Sequence, residues 1–208
     1  MIDKILQYAE NHTTKESEVL RELRRETHLT MLQPQMLSGQ IQGQLLAFFS
    51  QMLCPKAILE IGTFTGYAAI CLAQGLAQKG IMHTIEVNEE KETIIRKYLA
   101  KANLVDKVKL HIGDAEVIIP TLKETFDLVF IDAGKKQNAL YYDMVFDQVR
   151  QGGFIITDNV LWGGKVADNA SDKRTRLIDE FNKKMQQDER VDNLLLPIRD
   201  GLMIVRKK

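Results

Sequence analysis

Five short apolar runs recur after residue 56, and each is followed by a segment whose apolar residues have helical spacing. The runs read AILEI, IMHTIEV, VKLHI, FDLVFID and GFIITD, and the helical segments begin near Gly66, Glu89, Ala115 and Asn138. Parallel strands need such crossover helices, and runs without polar alternation are typical of strands covered on both faces. The alternation therefore predicts an α/β fold with a doubly wound, mostly parallel sheet.

The two ends of the chain extend this core. A helical pattern at Asp172 to Gln187 precedes VDNLLLPI, a turn at 199–201 and LMIVRK, which predicts a hairpin with an antiparallel C-terminal strand. Residues 1–53 have helical spacing without a strand signal, so we expect an N-terminal helical cover over a core of residues 54–208. A length of 208 residues suits a single domain, 1–208. The cover either packs against the core or a second copy, or forms a substrate lid.

Composition excludes some classes of protein. Lysine plus arginine and aspartate plus glutamate number 28 each, so the chain lacks the charge of a dedicated nucleic-acid binder. Cys54 and Cys71 lie in apolar stretches and are expected to be buried free thiols. The N-terminus has no signal-peptide pattern, and no apolar run reaches membrane-spanning length. We therefore expect a cytoplasmic protein that does not bind membranes.

A glycine loop follows the first apolar run, where Glu60 to Tyr67 read EIGTFTGY. A strand that stops at Gly62 and restarts as a helix at Gly66 leaves helix N–H groups facing a crevice, which predicts a bound ligand. The dinucleotide pattern G-x-G-x-x-G is absent, because Phe64 stands in place of its middle glycine. A dehydrogenase is therefore disfavoured.

Acidic residues end or follow the next two runs. Glu86 comes about 20 residues after the glycine loop, where an acid accepts hydrogen bonds from ribose hydroxyls. Asp114, followed by Ala115, lies where a side chain reaches an adenine amino group. Together these features suggest a nucleoside that carries an amino acid, as in S-adenosylmethionine. The competing interpretation is that Glu86 and Asp114 only cap the helices after them.

The fourth and fifth runs end in possible metal ligands. Asp132 follows one run, and Asp158 and Asn159 end the other, so adjacent strands bring three oxygen donors to one sheet edge. Such a set suits Mg²⁺ best, with Ca²⁺ or Mn²⁺ as alternatives, and does not suit zinc. The competing interpretation makes Asp158 and Asn159 a turn and Asp132 a helix cap. Lys135 is either a general base or a solvated surface lysine.

At this point the sequence resembles the cation-dependent, S-adenosylmethionine-dependent O-methyltransferases, the family of the caffeoyl-CoA and catechol O-methyltransferases. The resemblance runs from about Pro34 to the C-terminus and is carried by separate stretches: LEIGTFTGYAA, Glu86, GDA at Gly113, FDLVFIDAGK, DNVLWGGKV and LPIRDGLMIVRK. Agreement across so many segments is specific. It implies a Rossmann-like methyltransferase sheet and methyl transfer to a hydroxyl oxygen.

The resemblance also implies roles for residues. It places the methionine and ribose parts of the cofactor against the glycine loop and Glu86, and adenine beside Asp114 and Ala115. It makes Asp132, Asp158 and Asn159 the metal ligands, with Asp132 also near the cofactor and the reacting atoms, and Lys135 the candidate base. Trp162 belongs to the acceptor wall, with core packing as its competing role. The predicted cofactor contacts in and around the loop are Glu60, Gly62, Thr63, Gly66 and Tyr67.

Two departures bear on the acceptor. Many members of the family have Asp-Ala-Asp-Lys followed by a tyrosine, whereas this chain has Gly134 in place of the second aspartate and Asn138 in place of the tyrosine. The loss of a carboxylate and of an aromatic wall leaves the metal ligands intact but changes the acceptor pocket. The loop with which plant enzymes recognise CoA is not evident, so a CoA ester is not expected.

The sequence thus predicts an enzyme that methylates a small catechol-like molecule with vicinal oxygens. A second hypothesis keeps the chemistry but makes the acceptor a hydroxylated uridine in tRNA, with Arg21, Arg24 and Arg25 on the phosphates. A third is a non-catalytic S-adenosylmethionine-binding protein, which an open cation site argues against. The resemblance further implies a homodimer.

Overall fold

The computed structural model describes residues 2–168 and 172–208, without the side chains of Ile2, Asp3 and Lys135. Within these residues the chain forms seven strands, all in one sheet. The strands are β1 (Ala57–Ile61), β2 (Ile81–Glu86), β3 (Val108–Ile112), β4 (Phe126–Ile131), β5 (Val149–Asp158), β6 (Val191–Leu196) and β7 (Leu202–Lys207).

The described residues also form eight α-helices, four of them between the parallel strands. The helices are α1 (Ile2–Asn11), α2 (Glu18–Thr30), α3 (Gly39–Leu53), α4 (Tyr67–Ala73), α5 (Glu92–Lys101), α6 (Ala115–Ile118), α7 (Asn138–Phe146) and α8 (Lys173–Gln187). The crossover helices begin within three residues of the predicted positions, because the sequence places a cap or a short 3₁₀ turn at each start. Asp114, for example, caps α6 by accepting a hydrogen bond from the Glu116 N–H at 2.9 Å.

The sheet has the order β3-β2-β1-β4-β5-β7-β6. Strands β1 to β5 run parallel, and β7 pairs antiparallel with both β5 and β6. The predicted doubly wound, mostly parallel sheet with an antiparallel C-terminal hairpin is therefore confirmed.

Apolar side chains form a layer on each face of the sheet. One layer packs β1, β2 and β4 residues against α2 to α5, and the other packs the opposite faces of the strands against α6, α7 and α8. All five residues of β1 are buried, which explains why its sequence lacks polar alternation. Helix α4 lies within the first layer and is buried along its whole length, as its sequence YAAICLA allows.

The N-terminal helices dock on the crossover helices and on the glycine loop. Thr27 of α2 donates to the Thr65 hydroxyl at 3.0 Å, and Tyr98 of α5 donates to Glu26 at 2.7 Å. The predicted helical cover is present. No helix among the residues described has both the length and the apolar character needed to cross a membrane.

One expectation about the cysteines was wrong. Cys71 is buried in α4 as predicted, but Cys54 is exposed. Cys54 follows α3 as its C-cap in the left-handed conformation, with φ of 48°, and so does not continue the buried face of the helix. Both thiols are free.

The strand register sets up the carboxyl edge of the sheet. Ile61 of β1 pairs with Ile131 of β4, and Ile131 pairs with Thr157 of β5. The residues that follow, Gly62, Asp132 and Asp158, therefore lie side by side in three adjacent strands. Open α/β sheets bind their ligands at this edge.

A histidine pair joins β2 to β3. His83 Nδ1 lies 2.9 Å from His111 Nε2, so one nitrogen must accept, and His83 Nε2 lies 3.2 Å from a Glu124 oxygen. Burial lowers the pKa of both imidazoles from the ordinary value of 6.5, with Lys109 acting in the same direction and Glu124 opposing it.

The pair predicts a loss of stability in mild acid. The unfolded chain takes up protons near pH 6.5, whereas the folded pair resists protonation, so the free energy of unfolding falls as the pH drops below that value. We expect urea unfolding at pH 5.5 and 7.5 to show a smaller difference for His111→Gln than for the wild type. His28→Gln, which removes an exposed imidazole on α2, should leave the difference unchanged; an equal change in both variants would contradict the prediction.

Candidate active site

A cavity of about 860 Å³ lies at the carboxyl edge of the sheet. It is lined by residues that follow β1, β2, β3, β4 and β5 and by the segment before α3. Eight of the residues predicted to form a site line it together: Gly62, Glu86, Asp114, Ala115, Asp132, Asp158, Asn159 and Trp162. The structure therefore brings the predicted cofactor, metal and acceptor residues to one cavity.

Gly62 lies directly against the end of β4. Its φ of 98° disfavours other residues, and a Cβ placed on it would lie 2.2 Å from the Asp132 carbonyl oxygen. The Asp132 N–H donates to the Ile61 carbonyl at 2.9 Å and continues the β1–β4 ladder. A side chain at position 62 would push apart the loop and the strand end that carries Asp132.

Glu86 holds the glycine loop in place. One carboxylate oxygen accepts from the Phe64 N–H at 2.8 Å, and the other accepts from the Asn88 N–H at 3.0 Å and from Lys91 Nζ at 2.9 Å. The helical turn after β2 is capped by Asn88 rather than by Glu86. Capping therefore does not explain Glu86, which reaches the cavity with 4% of its surface exposed.

Asp114 both caps a helix and lines the cavity. One of its oxygens caps α6, and the residue is exposed to the cavity next to Ala115. Tyr141, which is buried in α7, contributes an aromatic side chain to the same lining. This part of the cavity offers an acid and a flat apolar surface.

Four residues predicted to contact the cofactor do not line the cavity: Glu60, Thr63, Gly66 and Tyr67. Gly66 is the N-cap of α4 with φ of 95°, and the Tyr67 hydroxyl donates to Glu16 at 2.7 Å. All four residues are buried, and the N-terminal cover packs over the start of α4, so their predicted contacts with the cofactor stay predictions. The loop instead presents Gly62 and Phe64 to the cavity.

Glu60 lies behind the loop with no exposed surface. Thr84 donates to one of its oxygens, and Thr84 and Thr63 are joined by a 2.5 Å hydrogen bond. Burial, together with the negative charges of Asp132 and Glu86, raises the pKa of Glu60 to about 8. Glu60 therefore supports the loop from inside, and its predicted contact with the cofactor stays a prediction.

The three predicted metal ligands are adjacent. Asn159 Nδ2 lies 3.3 Å from an Asp132 oxygen, and the Asn159 N–H donates to Asp158 at 2.6 Å. Asn159 has φ of 63°, a left-handed conformation that asparagine tolerates well. The turn after β5 thus directs its side chain towards β4.

This donor set fits a hard divalent cation. Two carboxylates and an amide oxygen from two strand ends are the ligand types that Mg²⁺, Mn²⁺ and Ca²⁺ accept. No cluster of three or more His, Cys, Asp or Glu side chains that would hold a metal occurs in the described parts of the chain. A cation held at the two strand ends would therefore need the amide of Asn159 as its third donor.

The segment after β4 contains Lys135 and Asn138, the two positions that the sequence analysis related to the acceptor. The side chain of Lys135 lies outside the described residues, so its predicted role as a base stays a prediction. Asn138 is buried with 2% of its surface exposed and does not line the cavity. Tyr141, on the next turn of α7, does line the cavity, but it lies beside Asp114 rather than at the acceptor end.

The outer end of the cavity is formed largely by residues that the sequence did not identify. Trp162, with φ of 52°, lines it as predicted, and the Arg174 guanidinium lies 5.0 Å from the indole ring. Arg199 donates to the Leu37 carbonyl at 2.7 Å and so ties the turn before β7 to the cover. Other lining residues without a signal in the sequence include Gln33, Gln35, Met36, Lys91, Lys136 and Gln137.

Comparison with known proteins agrees with this geometry. A family model described as O-methyltransferase matches residues 10–208. The chain belongs to the O-methyltransferase family.

Relatives cover nearly the whole chain. The chain is 32% identical to probable caffeoyl-CoA O-methyltransferase 2 of Dictyostelium discoideum, over 99% of this chain and 92% of that protein. It is 33% identical to mouse (Mus musculus) catechol O-methyltransferase domain-containing protein 1, over 97% and 79%. Its fold matches the Bacillus cereus O-methyltransferase solved in complex with SAH, with a TM-score of 0.92, 31% identity and full coverage of both chains. The predicted S-adenosylmethionine-dependent O-methyltransferase is confirmed as a class of enzyme.

The Gly62 contact gives a testable prediction for this O-methyltransferase. Gly62→Ala adds a Cβ where backbone atoms of Asp132 already lie, in a conformation costly for alanine. We expect it to lower the free energy of unfolding by roughly 1–3 kcal/mol or more and to weaken cofactor binding measured by calorimetry. Gly164→Ala is the matched control, since Gly164 also has positive φ (83°) but no atom within 4 Å of the added Cβ. Equal losses in both variants would show that backbone strain alone is responsible.

Proposed function

We propose that the protein transfers a methyl group from S-adenosylmethionine to a hydroxyl of a catechol-like small molecule, in a reaction that depends on a divalent cation. The observation that carries this proposal is the placement of Asp132, Asp158 and Asn159 in the same cavity as the glycine loop. The donor of the methyl group and the oxygen that receives it then share one wall of the sheet edge.

The cofactor is assigned to the end of the cavity between β1 and β3. Glu86 lies at the second strand end, where a ribose hydroxyl donates to an acid. Asp114, Ala115 and Tyr141 offer a hydrogen-bond acceptor and a flat surface suited to adenine. The loop at Gly62 allows the methionine part to approach the backbone closely.

The remaining steps concern the acceptor. In-line displacement at a methyl carbon needs the attacking oxygen opposite the departing sulfur, so the main task of the protein is positioning. Asp132, Asp158 and Asn159 would hold the cation, with Mg²⁺ the first candidate and Mn²⁺ or Ca²⁺ the alternatives. When bound, the cation lowers the pKa of the acceptor hydroxyl and fixes two vicinal oxygens. Lys135 is proposed to take up the proton of that hydroxyl or to stabilise the oxyanion.

The acceptor end favours a catechol with an acidic substituent. Trp162 offers a face for an aromatic ring, and three cationic side chains, Lys136, Arg174 and Arg199, surround this end of the cavity. A guanidinium binds a carboxylate or phosphate through paired hydrogen bonds. We therefore propose an anionic group on the ring opposite the reacting oxygens.

The other hypotheses have less support. Two of the arginines proposed to contact tRNA phosphates form ion pairs, Arg21 with Glu18 and Arg24 with Glu16. A non-catalytic binder has no need for the donor set at Asp132 and Asp158. The homodimer remains a prediction, which exposed apolar side chains on α3 such as Phe48 and Met52 would suit.

The central test is methyl transfer from labelled cofactor to small catechols, flavonoids and tRNA, with and without a chelator. We expect transfer to a catechol that the chelator abolishes and Mg²⁺ restores. Asp158→Ala should reduce kcat/KM by about 100-fold or more, because several kcal/mol of stabilisation of the reacting oxyanion would be lost. Asp143→Ala is the control, since Asp143 is a carboxylate that pairs with Lys184 outside the cavity. Transfer that is insensitive to chelator, or unchanged in Asp158→Ala, would refute the proposal.

A second test concerns the acidic substituent. Arg174→Gln should raise KM about three- to tenfold for a carboxylated catechol and leave KM for catechol itself nearly unchanged, as expected for one exposed charge-assisted contact. Lys173→Gln is the control: Lys173 is the neighbouring charge on α8 but does not line the cavity, so its removal should have little effect on either KM. If both acceptors respond equally to Arg174→Gln, the arginine does not read the substituent.

A further inference from the structure

A buried glutamine of the N-terminal cover contacts the proposed cation site. Gln42 lies in α3 with none of its surface exposed, and its Nε2 donates to an Asp158 oxygen at 2.7 Å. The bond joins residues 116 positions apart in the sequence. Asp158 is itself 6% exposed, so this hydrogen bond is shielded from water.

The neighbouring residue explains why the glutamine is held so firmly. A Cβ on Gly43 would lie 2.6 Å from a Tyr67 ring carbon and 2.9 Å from the Cys71 sulfur, so α3 and α4 meet at van der Waals distance there. Two turns later Ser50 donates to the Leu72 carbonyl at 2.6 Å. Helix α3 is therefore fixed on α4 at two points, and the backbone of Gln42 has little freedom.

Fold stability does not account for a glutamine at this position. Gln42 Oε1 is buried and has no hydrogen-bond partner in the described protein. An unpaired buried amide oxygen destabilises a fold, and an apolar side chain of the same size would avoid that cost. The residue is thus better explained by what its other amide atom does.

The Nε2 atom fixes the orientation of Asp158. The carboxylate has one oxygen bound to the Asn159 N–H at 2.6 Å and the other bound to Gln42. A carboxylate has about four acceptor sites, so sites remain for a cation on a group whose plane is already set. Because an amide carries no charge, Gln42 orients Asp158 without neutralising its carboxylate. A lysine or arginine at this position would neutralise it.

We propose that Gln42 is a positioning residue that holds Asp158 for the cation and thereby couples the N-terminal cover to the reaction site. The inference rests on the proposed cation dependence of the enzyme. Partners that orient metal ligands in this way affect metal affinity about 10- to 100-fold when they are removed.

The test measures Mn²⁺ binding, without turnover, by the electron paramagnetic resonance signal of the free ion. Gln42→Met keeps the length and volume of the side chain but removes the donor, and we expect it to raise the Kd for Mn²⁺ about tenfold or more. Its Tm should be equal to or above that of the wild type, because the unpaired amide oxygen is gone. The affinity for S-adenosylmethionine should stay within about twofold.

Two further variants separate positioning from folding. Ser50→Ala removes a buried hydrogen bond of the same helix, and it should lower Tm without changing the Kd for Mn²⁺. Gln42→Asn keeps an amide that is one methylene too short to reach Asp158, so it should also weaken Mn²⁺ binding and serves if Gln42→Met fails to fold.

The outcomes distinguish the two levels of the proposal. Wild-type affinity for Mn²⁺ in both Gln42 variants would overturn the role of Gln42 while leaving the cation site intact. A loss of affinity in Ser50→Ala equal to that in Gln42→Met would show a general effect of α3 packing and overturn it as well. Absence of Mn²⁺ binding by the wild type would instead refute the cation dependence itself.

Discussion

The contact between Gly62 and the Asp132 backbone determines how the two halves of the cavity relate. The missing Cβ lets the glycine loop lie directly on the end of β4, and the Asp132 N–H extends the β1–β4 ladder by one bond. The strand register then places Asp158 next in the row. The proposed cofactor site and the carboxylates of Asp132 and Asp158, which come from distant parts of the sequence, are thereby fixed within one wall.

Four acidic side chains converge at this wall, and neutral groups hold several of them. Glu60 accepts from Thr84, Asp158 accepts from Gln42, and Glu86 accepts from backbone N–H groups as well as from Lys91. Neutral donors fix the geometry of a carboxylate but leave its charge in place. Asp114, Asp132 and Asp158 line the inner cavity, which suits a sulfonium donor and a divalent cation. Lys91 pairs with Glu86 there, and the other cationic side chains of the lining lie at the outer end.

The sequence predicted residues that follow the strands much better than residues on helices. Gly62, Glu86, Asp114, Asp132 and Asp158 were found because a strand end has a known position at the sheet edge. The burial of Glu60 behind the loop could not be predicted, because every position of a strand covered on both faces is buried and the sequence does not say which way a side chain points. Tyr141 and Arg174 carried no local signal, since each reaches the cavity only through the packing of its helix. The same holds for Gln42, which reaches Asp158 but not the cavity itself.

The N-terminal cover is more than packing. Gln35 and Met36, which precede α3, line the cavity and form its roof. Arg199, in the turn before β7, donates to Leu37 of this roof, and Thr27 binds the glycine loop through Thr65. The positions of the donor residues at the strand ends are fixed by the register of the sheet, and a shift of that register would disturb the whole fold. The roof and the outer end of the cavity consist of connecting segments and exposed helix ends, which tolerate substitution far better than the strand ends do. Substitutions in the roof and at the outer end of the cavity are therefore expected to change acceptor specificity, while the proposed chemistry at Asp132 and Asp158 stays the same.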